Sequence, residues 1–318
     1  MKIFVTGATG FIGSYLTARL LKEGHEVIAG GRSFDRLNAL VSRKLGDLPK
    51  KLKTVHTDLE NRNAILDILK REKPDVVCHS AALVKDWHIE RLRRVNVEGT
   101  RNVLDACLAA AVKKVVYLSS IAVASGNRET QLTEDLPYKA GSAYGQSKIE
   151  AEIIAEDYRK KGLRIAILRP CMVYGEGEPH GLPQLIEALN RRILPIFGSG
   201  DKKLQLVSVE NVVDVMVLSL TKEEAYRGTY FIADKEILTI KELFAYIAGL
   251  IGAKEPISIS PGITAVLGKV PFIGKKIALF KKDRLYSIER LRKNLGYIPR
   301  ISTHEGLKEA VLSFRKSK

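Results

Sequence analysis

Residues 2–24, "KIFVTGATGFIGSYLTARLLKEG", change their apolar period at a glycine-rich turn, and that change decides the fold. "KIFVTG" (2–7) is a short apolar run bounded by glycine, the pattern of a strand buried on both faces. From Phe11 the apolar residues recur at helical spacing until Gly24, where the helix stops. The alternation continues downstream. "HEVIAGG" (25–31) and "LKTVHTDL" (52–59) read as strands, and "RNAILDILKREKP" (62–74) as a helix ended by Pro74. "DVVCHSAA" (75–82), "KKVVYLSS" (113–120) and "RIAILRP" (164–170) read as further strands, with helices over "TRNVLDACLAAA" (100–111) and around Tyr144. Strands and helices alternating at this interval predict an α/β protein with a Rossmann-type doubly wound parallel sheet, covered by helices on both faces.

The turn itself carries chemistry. Gly7, Gly10 and Gly13 stand between the first strand and the first helix, in "TGATGFIG" (6–13). Gly7 allows the tight turn and Gly10 lets the backbone approach an anion. Gly13 permits close packing of helix on strand, and the helix N-terminus faces the ligand with partial positive charge. A glycine triplet alone also occurs in plain turns. Its position directly after an apolar strand and before an amphipathic helix is the context that points to a dinucleotide pyrophosphate. Thr9, Phe11 and Ile12 complete this candidate cofactor loop.

Beyond Pro170 the rhythm breaks. "CMVYGEGEPHGLP" (171–183) is a Gly/Pro-rich loop and "QLIEALNRR" (184–192) a helix. "LQLVSVENVVDVMVLSL" (204–220) reads as a strand turning into a helix that returns to the main sheet, and "GTYFIA" (228–233) as another strand. From about residue 237 the pattern is mostly helical and basic. The expected organisation is a dinucleotide-binding region over 1–170, rejoined by 205–233, and a smaller, mostly helical substrate-binding region formed by 171–204 and 234–318.

Composition excludes several classes. Three cysteines, Cys78, Cys107 and Cys171, are too few and scattered for a disulfide framework, which suits a reducing cytoplasm. The six histidines show no metal-ligand spacing, so no metal is expected. No stretch reaches the roughly 18 uninterrupted apolar residues of a membrane span. Glycines interrupt the N-terminus too early for a signal peptide. The net charge of +16 comes from 52 basic and 36 acidic residues spread along the chain, with no nucleic-acid-reading motif, so no nucleic acid partner is expected.

"SAYGQSKIEAE" (142–152) places Tyr144 and Lys148 four residues apart on one helical face. Alone, the pair reads first as a solvated surface contact, with a catalytic pair as the alternative. Seven landmarks in order supply the context: "TGATGFIG", Asp58–Leu59, "HSAA" (79–82), "VNVEGT" (95–100), "YLSS" (117–120), "YGQSK" (144–148) and "LRP" (168–170). Together they resemble the extended short-chain dehydrogenase/reductases of the NAD-dependent epimerase/dehydratase family. The resemblance covers nearly the whole chain.

That resemblance implies an NAD(P)-dependent dehydrogenase or reductase in which Tyr144 exchanges a proton with the substrate oxygen. A free tyrosine titrates near pH 10, so the positive charge of Lys148, which also reaches the nicotinamide ribose in the family, is needed to favour the phenolate. Ser120, 24 residues before Tyr144, is expected to polarise the substrate oxygen, with Ser119 as the alternative. Asn96 matches a family asparagine near the active site, either catalytic or holding a helix in place. Asp58 and Leu59 are expected against the adenine, and Ala81 and Ala82 beside the pyrophosphate and nicotinamide ribose. Cys171 and Val173 are expected to line the substrate pocket, and a homodimer is the expected assembly. NAD enzymes of this fold end the second strand in Asp or Glu. Here Gly31 falls at that position and Arg32 follows, which favours NADP over NAD, with Ser33 and Arg36 as auxiliary phosphate contacts.

The scaffold serves many substrates. Sugar-nucleotide enzymes of the family place a diphosphate-clamping arginine after a "GxG" in the second half, and in "FGSGDKKLQLVSVENVVDV" (197–215) that position is Leu204. Asn211 and the "LGYIP" turn (295–299) are instead similar to the 3β-hydroxysteroid dehydrogenase-like branch. This implies a secondary alcohol or ketone on a hydrophobic substrate such as a sterol, isoprenoid or lipid. The alternative is a nucleoside-diphosphate-sugar epimerase or reductase. "PGITAVLGKVPFIGKKIALFKK" (261–282), apolar with interspersed lysines, reads either as a cover for the substrate pocket or as a contact with an anionic membrane surface.

Overall fold

A computed structural model describes residues 1–84, 88–260, 262–263 and 282–316. Seven strands form one sheet: β1 Lys2–Thr6, β2 Glu26–Gly31, β3 Leu52–His56, β4 Val76–His79, β5 Lys114–Leu118, β6 Arg164–Pro170 and β7 Thr229–Ile232. All pair in parallel, in the spatial order β7-β6-β5-β4-β1-β2-β3. The order reverses between β1 and β4, which opens a crevice at the carboxyl ends of these strands. The expected doubly wound parallel sheet is therefore present.

Side-chain alternation along the strands builds two apolar layers. Ile3, Val5, Val116 and Leu168 point to one face, where helices α1 (Phe11–Lys22), α2 (Asp35–Leu45) and a later helix, Val209–Thr221, cover them. Phe4, Val115, Tyr117 and Ile167 point to the other, against α3 (Arg62–Glu72), α4 (Gly99–Ala109) and α5 (Ala143–Lys160). Each fully buried Leu or Ile in these layers contributes about 1.5–3 kcal/mol. Helix α2 was not apparent from the strand alternation, although its buried Leu37, Leu40 and Val41 form an i, i+3, i+4 stripe.

The second half divides. Helix α6 (Leu182–Asn190) follows the glycine-rich loop. Leu206–Ser208 pairs in parallel with Met172–Tyr174, outside the main sheet, and runs into α7 (Val209–Thr221), which packs on α1. Thr229–Ile232 is the strand of this stretch that joins the main sheet. It does so beside β6. Helices α8 (Ile240–Ile251), α9 (Glu289–Leu295) and α10 (Thr303–Lys316) follow, and α6, α8 and α10 share a third apolar cluster around Ile186, Leu243, Ile247 and Val311.

Asp234, just past β7, ties these parts together and is fully buried. Its carboxylate accepts from the Ser208 N–H at 3.1 Å, Asn211 Nδ2 at 2.7 Å, Tyr174 Oη at 2.8 Å and Thr303 Oγ1 at 3.2 Å. Asn211 Oδ1 in turn accepts from Tyr297 Oη and from the Arg300 and Ile301 N–H groups, so it holds the "LGYIPR" turn. The segment 261–282, read above as pocket cover or membrane contact, lies outside the described residues except for 262–263 and 282. Among the described residues no helix is long and apolar enough to cross a membrane.

Candidate active site

The crevice widens into a cavity of about 900 Å³ that runs from the glycine loop to the C-terminal helices. At its floor the loop after β1 has the shape that a pyrophosphate needs. Gly7 adopts φ +69°, and a Cβ there would lie 2.6 Å from Ala81 Cα. A Cβ on Gly13 would come within 2.1 Å of the Gly7 carbonyl oxygen. Neither site admits a side chain, so backbone amides and the N-terminus of α1 stay open to an anion. Gly7, Thr9, Gly10, Phe11, Ile12 and Gly13 all line the cavity, as do Asp58, Leu59, Ala81 and Ala82. The residues present fit a dinucleotide.

At the end of β2, a Cβ on Gly31 would lie 2.4 Å from Thr9 Cγ2 and 2.8 Å from Thr9 Oγ1. The threonine occupies the space that an acidic side chain would need. Arg32 follows, exposed on the cavity wall, with no carboxylate partner among the described residues. Ser33 does not line the cavity, and its hydroxyl donates to Asp35 at 3.3 Å. Arg36 does line it, but donates to the Gly177 carbonyl and stacks 5.8 Å from the centre of the Phe11 ring. The loop it holds is also tied by Tyr15, which donates to the Glu176 carbonyl at 3.0 Å, and by the Arg43–Glu176 ion pair. Glu178 caps α6, accepting from the Gly181 and Leu182 N–H groups at 2.7 and 2.8 Å.

Helix α5 begins at Ser142, whose hydroxyl accepts from the Gly145 N–H at 3.1 Å. This cap aims Tyr144, half-buried, into the cavity beside Ser120. Burial pushes the Tyr144 phenol up to about 12, while a hydrogen bond with Ser120 pulls it the other way. One turn on, Lys148 is 1% exposed and lies behind Tyr144 rather than on the cavity wall. Its ammonium donates to the Leu118 carbonyl at 2.9 Å and sits 4.5 Å from the centre of the Tyr117 ring. Burial lowers its pKa to about 7, against the opposing charge of Glu152.

Ser119 and Ser120, open alternatives in the sequence, have different surroundings. The Ser119 hydroxyl is buried and donates to Glu152. The Ser120 hydroxyl caps the short turn that follows, accepting from the Ala122 N–H at 3.2 Å, and faces the cavity with Tyr144. Asn96 is buried off the cavity wall. It accepts from the Leu83 N–H at 2.7 Å, and donates to the Leu83 carbonyl and to Ser147 Oγ, each at 2.9 Å. These contacts clamp the cavity-lining strand end to α5, as expected of an asparagine that holds a helix in place.

Cys171 and Val173 both line the cavity. Burial and the charge of Asp234 hold the Cys171 thiol well above its ordinary range, so it stays protonated and poorly nucleophilic. The far wall is apolar, with Leu182, Leu185, Leu206, Leu243, Ile247 and Leu307. Leu204 lies off this wall, paired with Leu238 and packed in the C-terminal apolar cluster. Among the described residues no group of three His, Cys, Asp or Glu gathers to hold a metal.

Two parts of the site went unread in the sequence. His79 stacks on Tyr117 at 5.4 Å and bridges Thr6 and Thr100, and burial lowers its pKa to about 3, so it is neutral. Glu152 lies a further turn beyond Lys148 and is paired with Arg169. The signal for the second was present, since Tyr144, Lys148 and Glu152 recur at i, i+4 and i+8 on one helical face.

Comparison with known proteins agrees with the fold. Residues 3–233 match the NAD dependent epimerase/dehydratase family. The chain is 31% identical over 332 residues to a UDP-glucose 4-epimerase of Mycolicibacterium smegmatis, covering 99% of each. It is 29% identical over 341 residues to a 3-beta-hydroxysteroid dehydrogenase of Mycolicibacterium neoaurum, covering 98% of this chain and 90% of that one. Among solved structures, MoeE5 in complex with UDP-glucose and NAD is similar at a TM-score of 0.78 and 27% identity, covering 100% of this chain and 99% of the other. By the span of that match and the identity to full-length relatives, the chain belongs to the NAD dependent epimerase/dehydratase family, within the extended short-chain dehydrogenase/reductases.

Proposed function

We propose that this protein is an NADP-preferring oxidoreductase that interconverts a ketone and a secondary alcohol on a hydrophobic, sterol-, isoprenoid- or lipid-like substrate. One observation carries the substrate class. The cavity wall supplied by residues 170–316 holds no lysine or arginine among the described residues, while it includes Glu178 and six leucine and isoleucine side chains. A diphosphate placed against that wall would meet no lysine or arginine of it among the described residues, and an apolar body would lose only water.

The loop 7–13 would hold the dinucleotide, which when bound would supply the hydride that the chain itself cannot. The remaining work belongs to side chains. Ser120 donates its hydroxyl proton in a hydrogen bond to the substrate oxygen and fixes its direction toward Tyr144. Tyr144, raised to about 12, carries its proton at neutral pH and gives it to the oxygen as the carbonyl is reduced. The ammonium of Lys148 behind it stabilises the phenolate that results, and in the reverse direction favours the base form. The apolar wall excludes water from this exchange.

A second reading is a nucleoside-diphosphate-sugar epimerase, supported by the 31% identity to a protein of that name. A panel assay decides between them by following nicotinamide absorbance with sterol-like and long-chain ketones beside UDP-glucose, each with NADPH and NADH. Consumption of NADPH with an apolar ketone is the expected result. Conversion of UDP-glucose without net absorbance change selects the epimerase and removes the proposal.

The NADP preference rests on Arg32 and on the absence of an acid at Gly31. Arg32→Ala should weaken NADP binding by about 10–100-fold, the cost of one or more hydrogen bonds to a charged phosphate, with little change for NAD. Fluorescence titration of both cofactors measures this. Equal losses for the two would remove the preference.

A further inference from the structure

Three bonds join α5 to the end of β5 like rungs. Tyr144 meets Ser120, Lys148 donates to the Leu118 carbonyl at 2.9 Å, and Glu152 accepts from Ser119. The residues of α5 are spaced by one helical turn, and their partners fall within three consecutive residues of the strand end. Glu152 is the rung furthest from the cavity, and it is wholly buried. It accepts from Tyr138 Oη at 3.0 Å and forms a two-pronged pair with Arg169, whose Nε and Nη2 approach within 3.0 and 2.6 Å. Arg169 belongs to β6, beside β5, so the carboxylate pins helix, strand end and neighbouring strand at one point. A buried carboxylate with this many donors is rigid.

We propose that Glu152 is a positioning residue for the site. Through Ser119 it sets where Ser120 stands against Tyr144, and through its charge it holds the Lys148 ammonium in an apolar interior. This rests on the reading of Tyr144 and Lys148 given above. Among the described residues Lys148 donates to one acceptor, the Leu118 carbonyl, and the other groups around it offer no negative charge. His79 on β4 is neutral, Tyr117 on β5 and Tyr144 on α5 are protonated phenols, and Arg169 on β6 is positive. Tyr138, held above its ordinary range, is also protonated. Glu152 is thus the carboxylate among the described groups that favours the charged lysine.

The test follows the Nζ of Lys148 directly in ¹⁵N-lysine-labelled protein across a pH series, the resonance being assigned by its loss in Lys148→Met. In the wild type this nitrogen should titrate near neutrality. In Glu152→Gln the midpoint should fall by about one pH unit or more, since an opposite charge within helical-neighbour distance favours the protonated form. Because that variant leaves Arg169 buried without a counter-charge, Glu152→Gln/Arg169→Gln is measured beside it. The double variant removes both charges together, keeps a neutral hydrogen-bonded pair and should show a smaller fall of the same sign. Glu152→Asp should restore the wild-type midpoint. A midpoint unchanged in the double variant would overturn the proposal. The titration needs no substrate, so it can fail while Tyr144→Phe behaves as expected, or stand while the assignment of Tyr144 falls.

Discussion

Tyr144→Phe should lower turnover by about 10²–10⁴-fold, the usual range for losing a positioned acid–base group, and leave dinucleotide affinity nearly unchanged. The substitution deletes one oxygen. The ring remains to fill the half-buried space beside Ser120, and the glycine loop, Lys148 and the end of β2 keep their contacts. Turnover of the ketone identified by the panel assay, with cofactor titration on the same samples, separates the two quantities. Wild-type turnover in the phenylalanine variant would sink the mechanism. A loss confined to cofactor binding would move Tyr144 from proton exchange to ribose recognition.

The largest effect on stability should come from Asp234→Ala. The change strips the acceptor from the Ser208 N–H, Asn211, Tyr174 and Thr303 at once, all in a buried setting. Each stranded donor costs about 1–3 kcal/mol, and partial relaxation brings the expected total to about 4 kcal/mol. Burial already pushes the Asp234 carboxyl above the usual range, so these donors are what hold the carboxylate in place. Asp234→Asn keeps an accepting oxygen and should lose far less. Urea unfolding of the three proteins provides the comparison. An alanine variant as stable as the wild type would mean that α7, α10 and the end of β7 hold together without this centre.

The strands and the glycine loop were legible because each is a local pattern. "KIFVT" and "RIAILRP" carry their period within a few residues, and the sheet then buries them on both faces. The Tyr144–Lys148 spacing is local too, but its reading needed the landmarks spread along the chain. What escaped depends on distant partners. Glu152 gains its meaning from Ser119 and Arg169, which adjoin it only when β5 and β6 lie side by side. Ser119 and Ser120 are chemically identical, and only burial tells them apart. Asn211 was noticed as a likeness, yet its work in holding residues 297–301 needed the fold. The pairing of Leu206–Ser208 with Met172–Tyr174 was hidden because a short apolar run does not name its neighbour.

The contact between Thr9 and Gly31 has a consequence for how cofactor choice can change over generations. Under the proposed NADP preference, a change toward NAD calls for an acid at position 31, but Thr9 Cγ2 stands 2.4 Å from where its Cβ would go. Gly31→Asp as a first step should therefore overpack the strand end, at a cost of about 1–3 kcal/mol. Thr9→Ala removes the two nearest atoms, Cγ2 and Oγ1, and leaves its own Cβ at 3.2 Å, a contact that is still tight but eased. The route is less crowded in one order than in the other. A lineage that keeps threonine at position 9 meets this crowding whenever an acid arises at position 31.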